Sequence, residues 1–224
     1  MSRPKRIFLV RHGESEANVA GEVYTQIPDH KIPLTSKGYQ QAREAGKFIN
    51  EEITKTLELN QSSSEDSVLC RVYCSPFTRS RQTFEGMAEH FQFSYKYSED
   101  PRLREQEWGN YQRHYDPQDI HKERDEYGTF FYRIPQGESG ADVYDRITLF
   151  MDSMYRDFQK ESFPENVLLI SHGLTIRIFL MRWFHWTPER FETLANLRNG
   201  QVVEMRCDHQ KGKYELVTPL HFKS

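Results

Sequence analysis

The triplets Arg11-His12-Gly13 and Ser171-His172-Gly173 set two histidines in the same local context, each followed by a residue without a side chain. A third segment, Ser75-Pro76-Phe77-Thr78-Arg79, adds a second arginine. These residue types meet the demands of covalent phosphoryl transfer: a nucleophile in line with the leaving oxygen, cations around the equatorial oxygens and a proton for the departing alkoxide. Neutral imidazole can attack phosphorus and become a phosphohistidine. Gly13 lets backbone N–H and arginine groups approach the phosphate closely, while the other ring nitrogen of His12 is fixed by a backbone acceptor. Arg11 and Arg79 carry planar, permanently charged forks that match phosphate oxygens as lysine would not. His172 can donate to the same phosphate.

Such groups must be brought together by the elements that precede them. The apolar runs Ile7 to Val10, Val68 to Cys74 and Val167 to Ile170 are short and partly β-branched, which predicts buried strands. Each is followed by one of the three segments above, and ligands of open α/β sheets bind beyond the carboxyl ends of strands. Helices are predicted between them. One is capped by Thr35 and carries Ala42, Ala45, Ile49 and Ile53; a second starts at Ser75-Pro76 and runs through Phe84, Met87, Ala88 and Phe91. A third is capped by Ser139, with Asp142 in the capping-box place, and carries Val143, Ile147, Phe150, Met151, Met154 and Phe158. The alternation predicts an α/β fold, a three-layer sandwich whose mostly parallel central sheet is covered by helices on both faces. Val202 to Cys207 and Tyr214 to Val217 read as an antiparallel hairpin added to that sheet. The serine-rich stretch Thr54 to Asp66 reads as a solvated loop, Glu14-Ser15 as a helix start, and Gly137-Glu138-Ser139 as a turn and helix cap first and a pocket neighbour second. Residues 101–136, aromatic and charged without a clean period, read as an insertion forming a partial lid.

Other classes are disfavoured. A chain of 224 residues without a composition break is expected to form one domain, 1–224. A net charge of -3 carries no basic footprint for nucleic acid or for a membrane surface. The apolar run after Arg6 is too short for a signal-peptide core or a membrane span, and a cytoplasmic location is expected. Cys70, Cys74 and Cys207 lack the spacing of a zinc site or a disulfide framework, and the histidines show no helical zinc pattern, so neither metal nor cofactor is expected. A cysteine-based phosphatase would need an arginine where Ser80 stands, between Arg79 and Arg81, which leaves Cys74 as an inert strand-end residue.

One histidine triplet alone carries little weight. Here, however, Arg11 to Ser15 with Asn18 is followed by Pro33-Leu34-Thr35 with Gly38, Gln41 and Ala42, then by Ser75-Pro76 with Arg79 and Thr83. Leu103-Arg104-Glu105 with Gly109, Gly137-Glu138-Ser139 and Ser171-His172-Gly173 complete the order. In this set and sequence the chain resembles the histidine phosphatase superfamily, which includes the phosphoglycerate mutases; Glu105 to Gly109 also resembles a eukaryotic mutase-like branch. The resemblance implies that His12 accepts the phosphate and that Arg11, Arg79 and His172 hold it, with Gly13, Gly173 and the Asn18 amide beside it. It also implies that Glu105 is the proton donor, with Glu107 two residues on as the competing carboxyl. The glycine-leucine-asparagine-lysine continuation of the mutases is replaced after Gly109 by Asn110-Tyr111-Gln112-Arg113, which favours a phosphatase over a mutase. A scaffold that only binds a phosphorylated partner is the third reading. The expected partner is a phosphorylated small molecule or phosphoprotein substrate. Tyr111, Tyr115, Tyr127, Phe130, Phe131 and Tyr132 are enough to shape a pocket for an organic leaving group bulkier than a three-carbon acid, and are equally what a lid needs to pack on the sheet.

Overall fold

Strand period and helix capping place most of the sheet and its main helices correctly, as seen in a computed structural model describing residues 3–60, 68–109, 117–208 and 210–223. The chain runs β1 (Arg6–Arg11), α1 (Glu16–Val19), α2 (Val23–Gln26), α3 (Ser36–Asn60), β2 (Cys70–Cys74), α4 (Thr78–Ala88) and β3 (Tyr95–Glu99). It continues through α5 (Pro117–Tyr127), α6 (Gly140–Phe158), β4 (Asn166–Ser171), α7 (Gly173–Phe184), α8 (Pro188–Thr193), β5 (Val202–Asp208) and β6 (Lys213–Leu216).

The strand order is β3-β2-β4-β1-β5-β6. The first four of these strands are parallel, and β5 and β6 are added antiparallel. Alternate residues of the strands bury opposite faces, because helices cover both. Ile7, Leu9, Val167 and Leu169 pack with the apolar stripe of α6 and with Ile176, Phe179 and Leu180 of α7. Phe8, Val10, Val72, Leu168 and Ile170 pack with Ala42, Ala45, Ile49 and Ile53 of α3 and Met87 of α4. Register sets the strand ends level: Ile170 is opposite both Val10 and Cys74, so the three following segments leave the sheet at one height.

Two expectations are corrected, and two elements carry no clear signal in the sequence. Thr54 to Asn60 belongs to α3 rather than to a loop; residues 61–66 lie outside the described residues. Ser75-Pro76 does not open α4: Phe77 is the N-cap residue, Ser75 turns its hydroxyl elsewhere, and the helix stops at Ala88, short of Phe91. The edge strand β3 escapes the pattern because it is mostly exposed, with no buried residue to mark its period. The 101–136 segment contains a helix, α5, whose polar composition hides it. Thr35 and the Ser139–Asp142 capping box stand as expected, with Gly38 N–H donating to Thr35 Oγ1 at 3.1 Å and Asp142 N–H to Ser139 Oγ at 3.2 Å.

Candidate active site

The end of β1 delivers Arg11 and His12 into the mouth of a cleft of about 650 Å³. His12 N–H extends the β1–β4 ladder by donating to Ser171 O at 3.0 Å, which fixes its backbone. Its side chain is buried, and Nδ1 lies 2.7 Å from Gly13 O. A carbonyl only accepts, so Nδ1 carries the proton and Nε2 keeps its lone pair, the tautomer of a nucleophile. Gly13 is required here for packing: a Cβ would lie 2.3 Å from Gly38 O, and a Cβ on Gly38 would lie 2.1 Å from Glu14 O. Gly13 N–H donates to Thr83 Oγ1 at 3.0 Å, tying the loop to α4.

His172 caps α7 at the end of β4, and its ring centroid is 5.2 Å from that of His12. Its Nε2 is 2.7 Å from Ser75 Oγ. Both imidazoles titrate well below the ordinary histidine value, chiefly because burial disfavours the cation and secondly because Arg79 repels a further positive charge. The site therefore presents two neutral rings. Arg79, on the first turn of α4, is almost fully buried, lies over the Phe77 ring at 4.9 Å and forms an ion pair with Asp29 at 2.7 Å. Arg11 donates through Nη1 to Leu197 O. Of the five buried side-chain nitrogens without a partner among the described residues, Arg11 Nε and Arg124 Nε belong to arginines that line the cleft, where they leave donor capacity unspent.

Glu105 lines the same cleft, half-buried, and its Oε1 accepts from Gln106 N–H at 3.0 Å and Thr175 Oγ1 at 3.2 Å. Glu107 also lines the cleft but is exposed and lacks such anchoring to α7. The segment that carries both is held by Glu138. Its carboxylate takes Arg104 at 2.6 Å, Arg146 at 3.0 Å and Glu107 N–H at 3.0 Å, and its carbonyl takes Gln106 Nε2 at 2.7 Å. In the sequence Gly137-Glu138-Ser139 reads as a turn and cap first and a pocket neighbour second; Glu138 serves the second role by holding the segment that carries Glu105 and Glu107.

Asn18 lines the cleft, with Oδ1 accepting from Ser15 N–H and from Asn199 Nδ2, both at 3.0 Å. Asn199 also reaches His12 O at 3.2 Å and Gly13 O at 3.3 Å. Asn196 lines the cleft against Gly173, where a Cβ would meet Asn196 Oδ1 at 2.2 Å. Neither asparagine is marked by a motif, since both lie in the irregular stretch before β5. Of the expected lid aromatics, Tyr111 and Tyr115 lie outside the described residues. Phe130 is buried in the core against Phe191, and Tyr127 and Phe131 are exposed. The rings that line the cleft are instead those of Tyr24, His30, Phe77, Trp108 and His121.

Cys74 is buried at the end of β2, and burial pushes its thiol up to about 12, so it is not a thiolate nucleophile. Among the described residues no group of three or more His, Cys, Asp and Glu side chains could hold a metal ion, and no helix is long and apolar enough to cross a membrane.

The profile of the histidine phosphatase superfamily (branch 1) matches residues 7–218. A phosphoglycerate mutase-like protein of Arabidopsis thaliana is 42% identical, over 95% of this chain and 68% of its own. A broad-range acid phosphatase of Saccharomyces cerevisiae is 33% identical, over 98% and 90% of the two chains. Among solved structures, a mycobacterial glucosyl-3-phosphoglycerate phosphatase superposes with a TM-score of 0.65 at 18% identity, covering 98% of this chain and 100% of that one.

Proposed function

The chain belongs to the histidine phosphatase superfamily, and from that premise we propose that it hydrolyses a phosphomonoester through a phosphohistidine on His12. His12 Nε2 attacks phosphorus as the bond to the ester oxygen breaks. Arg11, Arg79 and His172 hold the equatorial oxygens, and the carboxyl of Glu105 gives its proton to the departing alkoxide. The carboxylate then takes a proton from water, whose oxygen attacks phosphorus, freeing inorganic phosphate and neutral His12. Gly13, Gly173 and the side-chain amide of Asn18 complete the phosphate end of the pocket.

The observation that carries this reading is the burial of two neutral imidazoles 5.2 Å apart, of which His12 lines a cleft together with Arg11, Arg79 and Glu105 while His172 lies buried behind it. The anchoring of Glu105 by Thr175 and Gln106 supports it over Glu107 as the acid. The replacement of the mutase continuation after Gly109 and the likeness to an acid phosphatase support hydrolysis over mutase transfer. We read the substrate as a phosphorylated small molecule or phosphoprotein handled in the cytoplasm. The chain is read as one domain, 1–224, with 101–136 inserted as a partial lid.

The test is a panel of phosphorylated metabolites scored for phosphate release, with wild type and His12→Ala. Release should be lost in the variant, by more than about a thousandfold, together with an acid-labile phosphoenzyme trapped from labelled substrate. Interconversion of phosphoglycerates with a bisphosphate primer and without phosphate release would instead make the chain a mutase. Biological activity that survives in His12→Ala would make it a scaffold.

A further inference from the structure

Glu105 holds its two carboxyl oxygens differently. Oε1 accepts the backbone N–H of Gln106 at 3.0 Å and lies 3.2 Å from Thr175 Oγ1, whereas Oε2 has no hydrogen-bond partner among the described residues. Thr175 sits in the first turn of α7 and is 1% exposed, so water does not take its place. Its hydroxyl carries one hydrogen and faces two acceptors, Oε1 and, at 2.9 Å, Arg104 O. Which of them receives the hydrogen depends on the charge of Glu105.

While Glu105 is a neutral acid, the nearer carbonyl of Arg104 holds the hydrogen. An ionised acceptor forms a bond roughly twice as strong as a neutral one, so Oε1 draws the hydrogen to itself once Glu105 has lost its proton. The rotation disturbs little else. Leu103 O is held by Ser171 Oγ at 2.7 Å and Glu105 O by Arg146 Nη2 at 3.1 Å, which keeps the segment in place while Arg104 O gives up its donor.

We propose that Thr175 is a positioning residue for proton donation, its hydroxyl turning from Arg104 O to Glu105 Oε1 as Glu105 Oε2 gives its proton to the leaving oxygen. The ester P–O bond breaks with its electron pair on the departing oxygen, the Oε2 proton joins that oxygen, and the charge left on the carboxylate is met by the Thr175 hydrogen. A hydrogen bond that forms only as charge develops lowers the barrier rather than tightening substrate binding. In the second step, Gln106 N–H and Thr175 occupy the lone pairs of Oε1, so the proton taken from water is directed to Oε2, ready for the next turnover. The inference rests on the reading of Glu105 as the proton donor.

The test compares kcat/KM for benzyl phosphate, whose alkoxide needs a proton to depart, with that for 4-nitrophenyl phosphate, whose phenolate does not. Thr175→Val keeps the shape and removes the hydroxyl. It should lower the benzyl rate by about tenfold, the range of a hydrogen bond to a charged group, and the 4-nitrophenyl rate by less than about threefold. Thr175→Ser should bring the benzyl rate to within about threefold of wild type. The ratio between the two substrates cancels any loss of folded protein, so a destabilised variant remains informative. Added to Glu105→Gln, Thr175→Val should slow benzyl phosphate no further, because no carboxylate forms. Equal loss on both substrates, an unchanged or faster benzyl rate, no rescue by serine, or full additivity with Glu105→Gln overturns the proposal. A Glu105→Gln variant that spares benzyl phosphate, or slows both substrates alike, defeats the acid assignment instead, and phosphate release that persists in His12→Ala defeats the phosphatase reading.

Discussion

Arg79 enters the cleft already holding Asp29: its Nη1 donates to the backbone oxygen and to Oδ1 of that residue, each at 2.7 Å. The pairing orients the guanidinium and also cancels part of its charge at the place where the proposed mechanism puts the phosphate dianion. Such a site releases inorganic phosphate more readily than one with a bare arginine. Asp29→Asn keeps an acceptor for Nη1 and removes the charge, so the inhibition constant for inorganic phosphate should fall by about tenfold. Unchanged or weaker inhibition would mean that the carboxylate serves only to aim Arg79.

Stability and activity should part company in mild acid. His12 and His172 are neutral in the folded chain because their pKa values are lowered far below the ordinary 6.5. Unfolded, each binds a proton near that value, so the unfolded chain holds more protons once the pH drops below about 6.5. The stability from burying neutral rings is complete above that pH. It declines as pH falls toward the folded values, by up to about 1.4 kcal/mol per pH unit for each ring. Thermal melts from pH 7.5 to 5 should show this slope, flattened in His172→Asn. Across the same window kcat/KM should not fall through protonation of His12, and a rate that halves at pH 6.5 would contradict the neutral nucleophile.

Glu138 offers a separate test of positioning. It binds two arginines of which Arg146 is buried, so Glu138→Ala leaves a cation without its counter-charge. A loss of about 3 kcal/mol in urea unfolding is expected. Because Arg104, Gln106 and Glu107 also hang on Glu138, kcat should drop more than KM rises in a milder Glu138→Gln variant. A normal kcat in that variant would show that Glu105 is held by α7 alone.

Thiol chemistry should be silent. Cys74→Ser should retain activity within about twofold, and iodoacetamide should not inactivate wild type, because the thiol is buried and protonated. Stoichiometric inactivation through Cys74 would revive a cysteine nucleophile.

Residues that obey a period or begin a motif were legible in the sequence. The apolar strands, the stripe from Val143 to Phe158 and the caps at Thr35 and Ser139 follow from spacing, and the strand-end rule gathers His12, Arg79 and His172 at one rim. What escaped depends on contacts between distant segments. The tie of Asp29 to Arg79 spans 50 residues and that of Asn199 to His12 spans 187, and no local pattern announces either. Glu138 reads in the sequence as part of a turn and cap before a pocket neighbour, because its partners are arginines that only the fold brings to it. The helix α5 is hidden for another reason: among its residues of described burial only Ile120 is buried, so its composition reads as loop, yet it supplies Arg124. Of the aromatic residues near it, Phe130 packs in the core, one of the two roles its type allowed, while Tyr127 and Phe131 face water.

The position of β1 has a consequence in time. Its two sheet neighbours are β4 and β5, so the first strand to be synthesised has no hydrogen-bonded partner until Asn166 and then Val202 exist. A chain emerging from the ribosome keeps His12 idle while most of the sequence is made, because the ring opposite it and the strand that fixes its backbone come from the far end. Truncation anywhere before β4 should yield a polypeptide with the nucleophile and no trace of a pocket. Among the site's residues, the earliest made are among the last to become reactive.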